Sequence, residues 1–298
     1  MNQDAMLAQV RDKPGFIAAL DQSGGSTPGA LRQYGIPDSA YSGEADMFRL
    51  MHEMRVRIIS APAFTGERII GAILFEATMD GQAHGEPVPS FLWEKRGVVP
   101  FLKVDKGLES EANGVRLMKP IPGLDPLLER AAKLGVFGTK MRSVINQHSP
   151  DGIAAIVRQQ FDYAKQIDAH GLMPILEPEV SIDTPDKAGA EAALRSELIK
   201  GLDVLPESRR VMIKLTIPDV ADFYGPLIEH PRVLRVVALS GGYTRTDACQ
   251  RLKANHGMIA SFSRALINDL RESMSDDAFD AALAESIEEI YRASVDKD

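Results

Sequence analysis

Apolar residues fall along the chain in short runs separated by amphipathic stretches. The runs are Gly15–Leu20, Ile69–Phe75, Val98–Lys106, Val136–Arg142, Leu172–Glu179, Val211–Pro218, Val233–Leu239 and Gly257–Phe262. They lack the alternating polar face of a half-solvated strand, so they read as strands covered on both sides, the pattern of parallel sheets under helices. Between them apolar residues recur at helical spacing. Met47, Leu50, Met51, Met54 and Ile58 form one stripe; Ile153, Ile156, Val157, Phe161, Ala164 and Ile167 form another; Phe279, Leu283, Ile287 and Ile290 form a third. Helix starts are predicted at Thr27-Pro28, Ser42, Thr184-Pro185 and Ser275, and stops at Gly35 and Gly171. Further helices are predicted over 1–13, 123–134, 219–230 and 244–254, with a short one around Phe91–Lys95.

Eight buried strands alternating with helices predict an α/β chain folded as a (β/α)8 TIM barrel. It is expected as a single domain over residues 1–298, with barrel strands between about 15 and 266 and helical additions at both ends, the last near 275–294. An open doubly wound sheet is the alternative, but no Gly-x-Gly-x-x-Gly follows the first strand, so the usual dinucleotide fingerprint is missing.

Such barrels carry their chemistry at the C-terminal ends of the strands. Those ends read Asp21, Glu76, Lys103, Lys140 with Arg142, Glu177 with Glu179, Lys214, Ser240-Gly241-Gly242, and Ser261 with Arg264. Lys214 is the most telling, because it interrupts the apolar run Val211–Pro218. Burying an ammonium is costly, and a partly desolvated lysine is a usable nucleophile towards a carbonyl. A lysine that turns its head to solvent or to a carboxylate would look the same in isolation. Carboxylates alone at this mouth would suggest a metal, and lysines alone an anion site. The mixture suggests an amine nucleophile, a proton-transfer partner and phosphate clamps. A second lysine, Lys140, would favour loss of the nucleophile's proton by like-charge repulsion. Bare backbone N–H groups in Ser240-Gly241-Gly242 suit a phosphate or simply a tight turn, and Ser23-Gly24-Gly25-Ser26 offers a second donor-rich loop.

Composition narrows the function. The formal net charge of −8 argues against nucleic-acid partners, and it requires local cations wherever an anionic substrate binds. The single cysteine, Cys249, leaves no intramolecular disulfide, and the six histidines show no metal-ligand spacing. The start of the chain has no signal-peptide pattern, and no apolar run approaches the ~20 residues that span a bilayer, so a cytoplasmic protein without a membrane partner is expected. A homo-oligomer is left open by the pattern.

Taken together, seven segments resemble class I, Schiff-base-forming fructose-bisphosphate aldolases, and more closely their short bacterial branch. They are Ala19–Ser26, Leu102–Gly107, Gly138–Arg142, Pro174–Glu179, Ile213–Leu215, Leu239–Gly242 and Ser261–Leu266. The resemblance implies reversible cleavage of fructose 1,6-bisphosphate to glycerone phosphate and glyceraldehyde 3-phosphate, with no metal or organic cofactor. It implies that Lys214 forms the imine and Glu177 is the acid/base, with Asp21, Lys140 and Glu179 tuning the site. It further implies that Ser240, Gly241, Gly242 and Arg264 hold the C1 phosphate, and Ser23, Ser26, Lys103 and Arg142 the other end. A Schiff-base aldolase or transaldolase for another phosphosugar, or a sugar-phosphate-binding protein without turnover, are the rival expectations. Two departures stand out: Gln22 occupies a position where the animal enzymes carry glutamate, and Tyr291 sits on an amphipathic helix rather than at the end of a tail, so it is read as a packing residue.

Overall fold

The computed structural model describes residues 2–23, 25 and 27–298. Eight parallel strands form a nearly closed barrel: β1 (Phe16–Leu20), β2 (Ile69–Leu74), β3 (Val99–Lys103), β4 (Gly138–Ile145), β5 (Met173–Val180), β6 (Val211–Thr216), β7 (Val233–Leu239) and β8 (Met258–Ala260), neighbouring in chain order. Register runs in parallel from β1 to β8, and the Ala19 N–H donates across the remaining seam to the Phe262 carbonyl at 3.0 Å. The principal helices are α1 (Gln3–Asp12), α2 (Thr27–Tyr34), α3 (Gly43–Ser60), α4 (Leu124–Lys133), α5 (Pro150–Ala169), α6 (Lys187–Asp203), α7 (Arg245–Lys253) and α8 (Asp276–Val295).

Because side chains alternate across a strand, each β-run splits into two stripes. Ala18, Leu20, Leu102, Met141, Leu176, Ile213, Leu215 and Ala238 face the helices and join the large outer core. Ile17, Ala19, Val99, Phe101, Ile175, Met212, Val237 and Ile259 point inwards and fill the barrel. Phe101 and Phe137 meet edge to face at 5.5 Å in its centre. Room for Phe101 comes from two glycines: a Cβ on Gly71 would lie 2.9 Å from its ring, and one on Gly138 would lie 2.3 Å from the Met173 carbonyl oxygen. Helix α1 covers the N-terminal end of the barrel, burying Met6 and Val10 against the inner cluster, while Gln9 donates to the Ile70 and Gly97 carbonyls.

Several predicted elements differ in detail. Helix α6 starts at Lys187, capped by Asp186, which accepts from the Gly189 N–H; Thr184 is buried and donates to the Ile145 carbonyl. The helix predicted over 219–230 is one turn, Gly225–Ile228. Asp222 sits at φ +57°, where its N–H reaches Asn255 and its carboxylate accepts from the His256 N–H, so a continuous helix is blocked. Ser42 does stand at the N-cap of α3, but its hydroxyl donates to Asp46 and caps no helix N–H. Phe91–Lys95 forms a π-turn.

Candidate active site

On five of the strands the inner stripe continues past the apolar layer into polar positions. Ile17 and Ala19 lead to Asp21; Val99 and Phe101 to Lys103 and Asp105; Ile175 to Glu177 and Glu179; Met212 to Lys214; Ile259 to Ser261. The period of two that fills the barrel therefore also points these groups into one cavity of about 570 Å³ at the C-terminal mouth. Among the described residues it is lined by six basic side chains (Lys103, Arg116, Lys140, Arg142, Lys214, Arg264) and four acidic ones (Asp21, Asp105, Glu177, Glu179). A chain that is acidic overall thus presents a locally cationic mouth, as an anionic ligand requires.

At the centre, Glu177 lies between two lysines. Its Oε1 is 3.1 Å from Lys214 Nζ and its Oε2 is 2.8 Å from Lys140 Nζ. Lys140 also pairs with Asp21 at 2.7 Å and has Asp105 at 3.9 Å. Lys214 and Glu177 are 4% and 3% exposed, so these charges interact with little screening. The Lys140 contact to Glu177 is one of charge without hydrogen-bond alignment, which leaves Oε2 a buried acceptor with unused capacity.

Burial is the largest single influence on Asp21, Glu177 and Lys140, and in each case it favours the neutral form. The opposite charges outweigh it. Lys140, then Lys214, hold the Asp21 and Glu177 carboxyls below the ordinary range, while Asp21 and Glu177 push the Lys140 amine well above the usual lysine value. Lys140 is thereby fixed as an ammonium. Its expected repulsion of Lys214 is set against three carboxylates within 4 Å of it.

The outer ring of the mouth is also paired. Lys103 donates to Asp105 Oδ1 at 2.6 Å, and burial lowers its pKa despite that partner. Asp105 Oδ2 accepts from the Arg142 backbone N–H at 3.1 Å, tying the end of β3 to β4. Arg142 pairs through Nε with Glu179. Ser240, Gly241, Tyr243 and Gly242 form a turn closed by the Tyr243 N–H on the Ser240 carbonyl, with Gly241 at φ +62° and Gly242 at φ +122°, conformations that suit glycine. Ser240 and Gly241 line the cavity; Gly242 lies beside it, near the Arg264 guanidinium. Arg264 is exposed, with no partner for its side chain among the described residues. Ser23 also lines the cavity, and Ser26 lies outside the described residues.

Glu76 does not join this site; it turns outwards to Lys106 and Arg130. Two groups not singled out from the sequence, Asp105 and Arg116, do join it, as does Ser261, read there only as a strand-end residue, whose hydroxyl is buried without a hydrogen-bond partner. Asp105 and Ser261 follow Lys103 and Ile259 at the two-residue spacing, a signal that identifies them once the inward stripe is known. Tyr291 is half-buried on α8 with the Arg68 guanidinium 5.6 Å from its ring centroid, as a packing residue would be. Among the described residues no group of three or more His, Cys, Asp or Glu side chains is placed to hold a metal ion, and no helix is long and apolar enough to cross a membrane.

Comparison with known proteins follows this geometry. The family model described as "Glycolytic: Fructose-bisphosphate aldolase class-I" matches residues 18–199. A fructose-bisphosphate aldolase class 1 from Porphyromonas gingivalis is 57% identical over 99% of the chain and 100% of its own length. One from Synechocystis is 56% identical over 99% of the chain and 98% of its own length. In fold, the chain is similar to fructose-bisphosphate aldolase from Plasmodium falciparum, with a TM-score of 0.77 at 23% identity, covering 99% of this chain and 94% of that one. A protein from Corynebacterium glutamicum is more distant, at a TM-score of 0.58 and 14% identity over 98% of this chain and 92% of that one.

Proposed function

We propose that Lys214 is the amine nucleophile and Glu177 its proton-transfer partner in a chain that belongs to the class-I fructose-bisphosphate aldolase family. The activity is reversible aldol cleavage of fructose 1,6-bisphosphate to glycerone phosphate and D-glyceraldehyde 3-phosphate through a lysine Schiff base. The family match ends at residue 199, so the assignment of Lys214 rests on the geometry of the mouth.

The observation that carries the reading is the Glu177 carboxylate, 3.1 Å from Lys214 Nζ and braced from the other side by a permanently charged Lys140. Glu177 takes one proton from the paired Lys214 ammonium, the freed amine adds to the C2 ketone, and a second proton passes from the nitrogen to the C2 oxygen to give the carbinolamine. The proton held by Glu177 then goes to the carbinolamine hydroxyl, which leaves as water and forms the protonated imine. Glu177 Oε2, the acceptor with spare capacity, then removes the C4 hydroxyl proton. The C3–C4 bond breaks, its electron pair passes into the imine as an enamine, and the aldehyde departs. Protonation at C3 and hydrolysis of the imine release glycerone phosphate and restore Lys214. Asp21 and Lys140 hold Glu177 ionised and aligned between steps, and Glu179 keeps Arg142 at the rim.

For the phosphates, the cationic excess of the mouth supports two anion sites. The turn Ser240–Gly242 with Arg264 takes the C1 phosphate, and the Ser23 loop with Lys103 and Arg142 takes the other end. Glycolysis and gluconeogenesis use this reaction, and we place the protein in the cytoplasm on that basis. Borohydride reduction in the presence of substrate, followed by mass spectrometry of peptides, tests the mechanism. A reduced adduct on Lys214 is expected; an adduct on Lys140 or Lys103, or none, overturns it.

A further inference from the structure

The barrel seam between β1 and β8 is its least connected junction. No strand ladder joins the two, and among the described residues a single backbone hydrogen bond, from Ala19 to Phe262, crosses it. The loops that leave these strands both line the cavity, one through Ser23 and the other through Arg264. Sheet geometry therefore sets their separation only loosely. Above the seam, a side-chain bridge spans it: Gln22 Nε2 donates to Ser263 Oγ at 2.7 Å, across 241 positions of sequence.

The orientation of that amide is fixed from below. Arg55, on α3 and 1% exposed, donates through Nη2 to the Gln22 backbone carbonyl and, at 3.5 Å, to its Oε1; Nη1 donates to Thr78 Oγ1 at 2.8 Å. A guanidinium carries no acceptor, so the carbonyl end of Gln22 faces Arg55 and the NH₂ end is left for Ser263. Among the described residues Arg55 makes no contact ion pair: its hydrogen-bond acceptors there are all neutral, and burial pushes its pKa down to about 10 against the nearby Asp21 charge. A buried cation without a paired carboxylate is an expensive seat for a residue that only fills space.

We propose that the Gln22–Ser263 bridge, seated on Arg55, is a specificity spacer: it holds the loops after β1 and β8 at the separation of two phosphates and so favours a sugar phosphorylated at both ends over one phosphorylated at C1 alone. This rests on the two-phosphate reading above. Gln22 and Ser263 are positioning residues, acting through the loops they join. A substrate with one phosphate engages one loop and gains nothing from the spacing.

The test compares kcat/KM for fructose 1,6-bisphosphate and fructose 1-phosphate in the full-length protein and in Gln22→Ala, Ser263→Ala and the double variant. Loss of one aligned hydrogen bond should lower the bisphosphate preference by about fivefold to tenfold in each single variant. The double variant should lose no more than either single one, because both remove the same bridge. A wild-type preference that survives in both single variants, or effects that multiply in the double variant, overturns the spacer alone. Equal wild-type rates on the two sugars overturn the two-phosphate reading and the spacer with it. Gln22 is only half-buried, so its truncation leaves the core untouched.

Discussion

Replacing Lys140 with methionine removes the cation that two buried carboxylates share. Lys140 Nζ lies 2.7 Å from Asp21 and 2.8 Å from Glu177. With an effective dielectric of about 20, each contact carries about 6 kcal/mol of gross attraction. Much of this offsets the desolvation of the three charged groups, and removal of one partner from such a cluster nets a loss of about 3–5 kcal/mol. In a chain of this size the loss corresponds to a fall in Tm of about 10 °C near neutral pH. The pH dependence is the sharper test. In the wild type both carboxyls titrate below their unfolded values, so their contribution is present above the unfolded carboxylate range and fades as the pH falls through the folded values. Without Lys140, burial, already the largest influence on each, works against the one remaining central cation, Lys214. At least one carboxyl then rises above its unfolded value. The folded variant binds more protons than its unfolded chain, and its stability drops as the pH rises through that range. Calorimetry at about pH 5 and about pH 7.5 should therefore find the smaller deficit at the lower pH. A deficit that is equal at the two pH values, or larger at the lower one, refutes this account of the cluster.

Two further substitutions probe separate parts of the structure. Glu177→Gln retains the shape beside Lys214 but removes the acid/base, and kcat should fall by about 10²–10⁴-fold in a coupled assay; a loss under tenfold would assign proton transfer to another group. Gly138→Ala would place a Cβ 2.3 Å from the Met173 carbonyl oxygen and 3.0 Å from the Phe101 ring. Such overpacking should lower stability by about 1–3 kcal/mol, measured by thermal unfolding, and an unshifted Tm would show that the inner layer yields.

The barrel was legible because its strands are covered on both faces, which leaves eight apolar runs that the chain cannot disguise. The central site was legible for the same reason: Lys214 is conspicuous only against Val211–Thr216, and Lys140 and Glu177 stand out against comparable surroundings. Where a segment answers to distant partners, local pattern fails. Residues 219–230 carry helical spacing, yet Asp222 is held by Asn255 and His256 from a neighbouring loop. Glu76 comes just after its strand, at the start of the next helical turn, and Arg130 and Lys106 draw it outwards. Asp105 escaped notice because its place on the inward stripe shows only once the facing of its strand is known, and its partner, the Arg142 backbone N–H, lies on the adjacent strand.

The alternation that fills the barrel and arms its rim makes strand register a determinant of chemistry. A deletion of one residue within β4 would exchange the two faces beyond it, sending Lys140 and Arg142 towards α5 and bringing Met141 into the mouth. Two cations buried beneath a helix without Asp21, Glu177 and Glu179 would cost several kcal/mol each, comparable with the ~5–15 kcal/mol that holds a domain folded. One-residue insertions and deletions are therefore expected to be tolerated in the connections and not inside the strands, where they would turn away from their partners the same charges that make the mouth reactive.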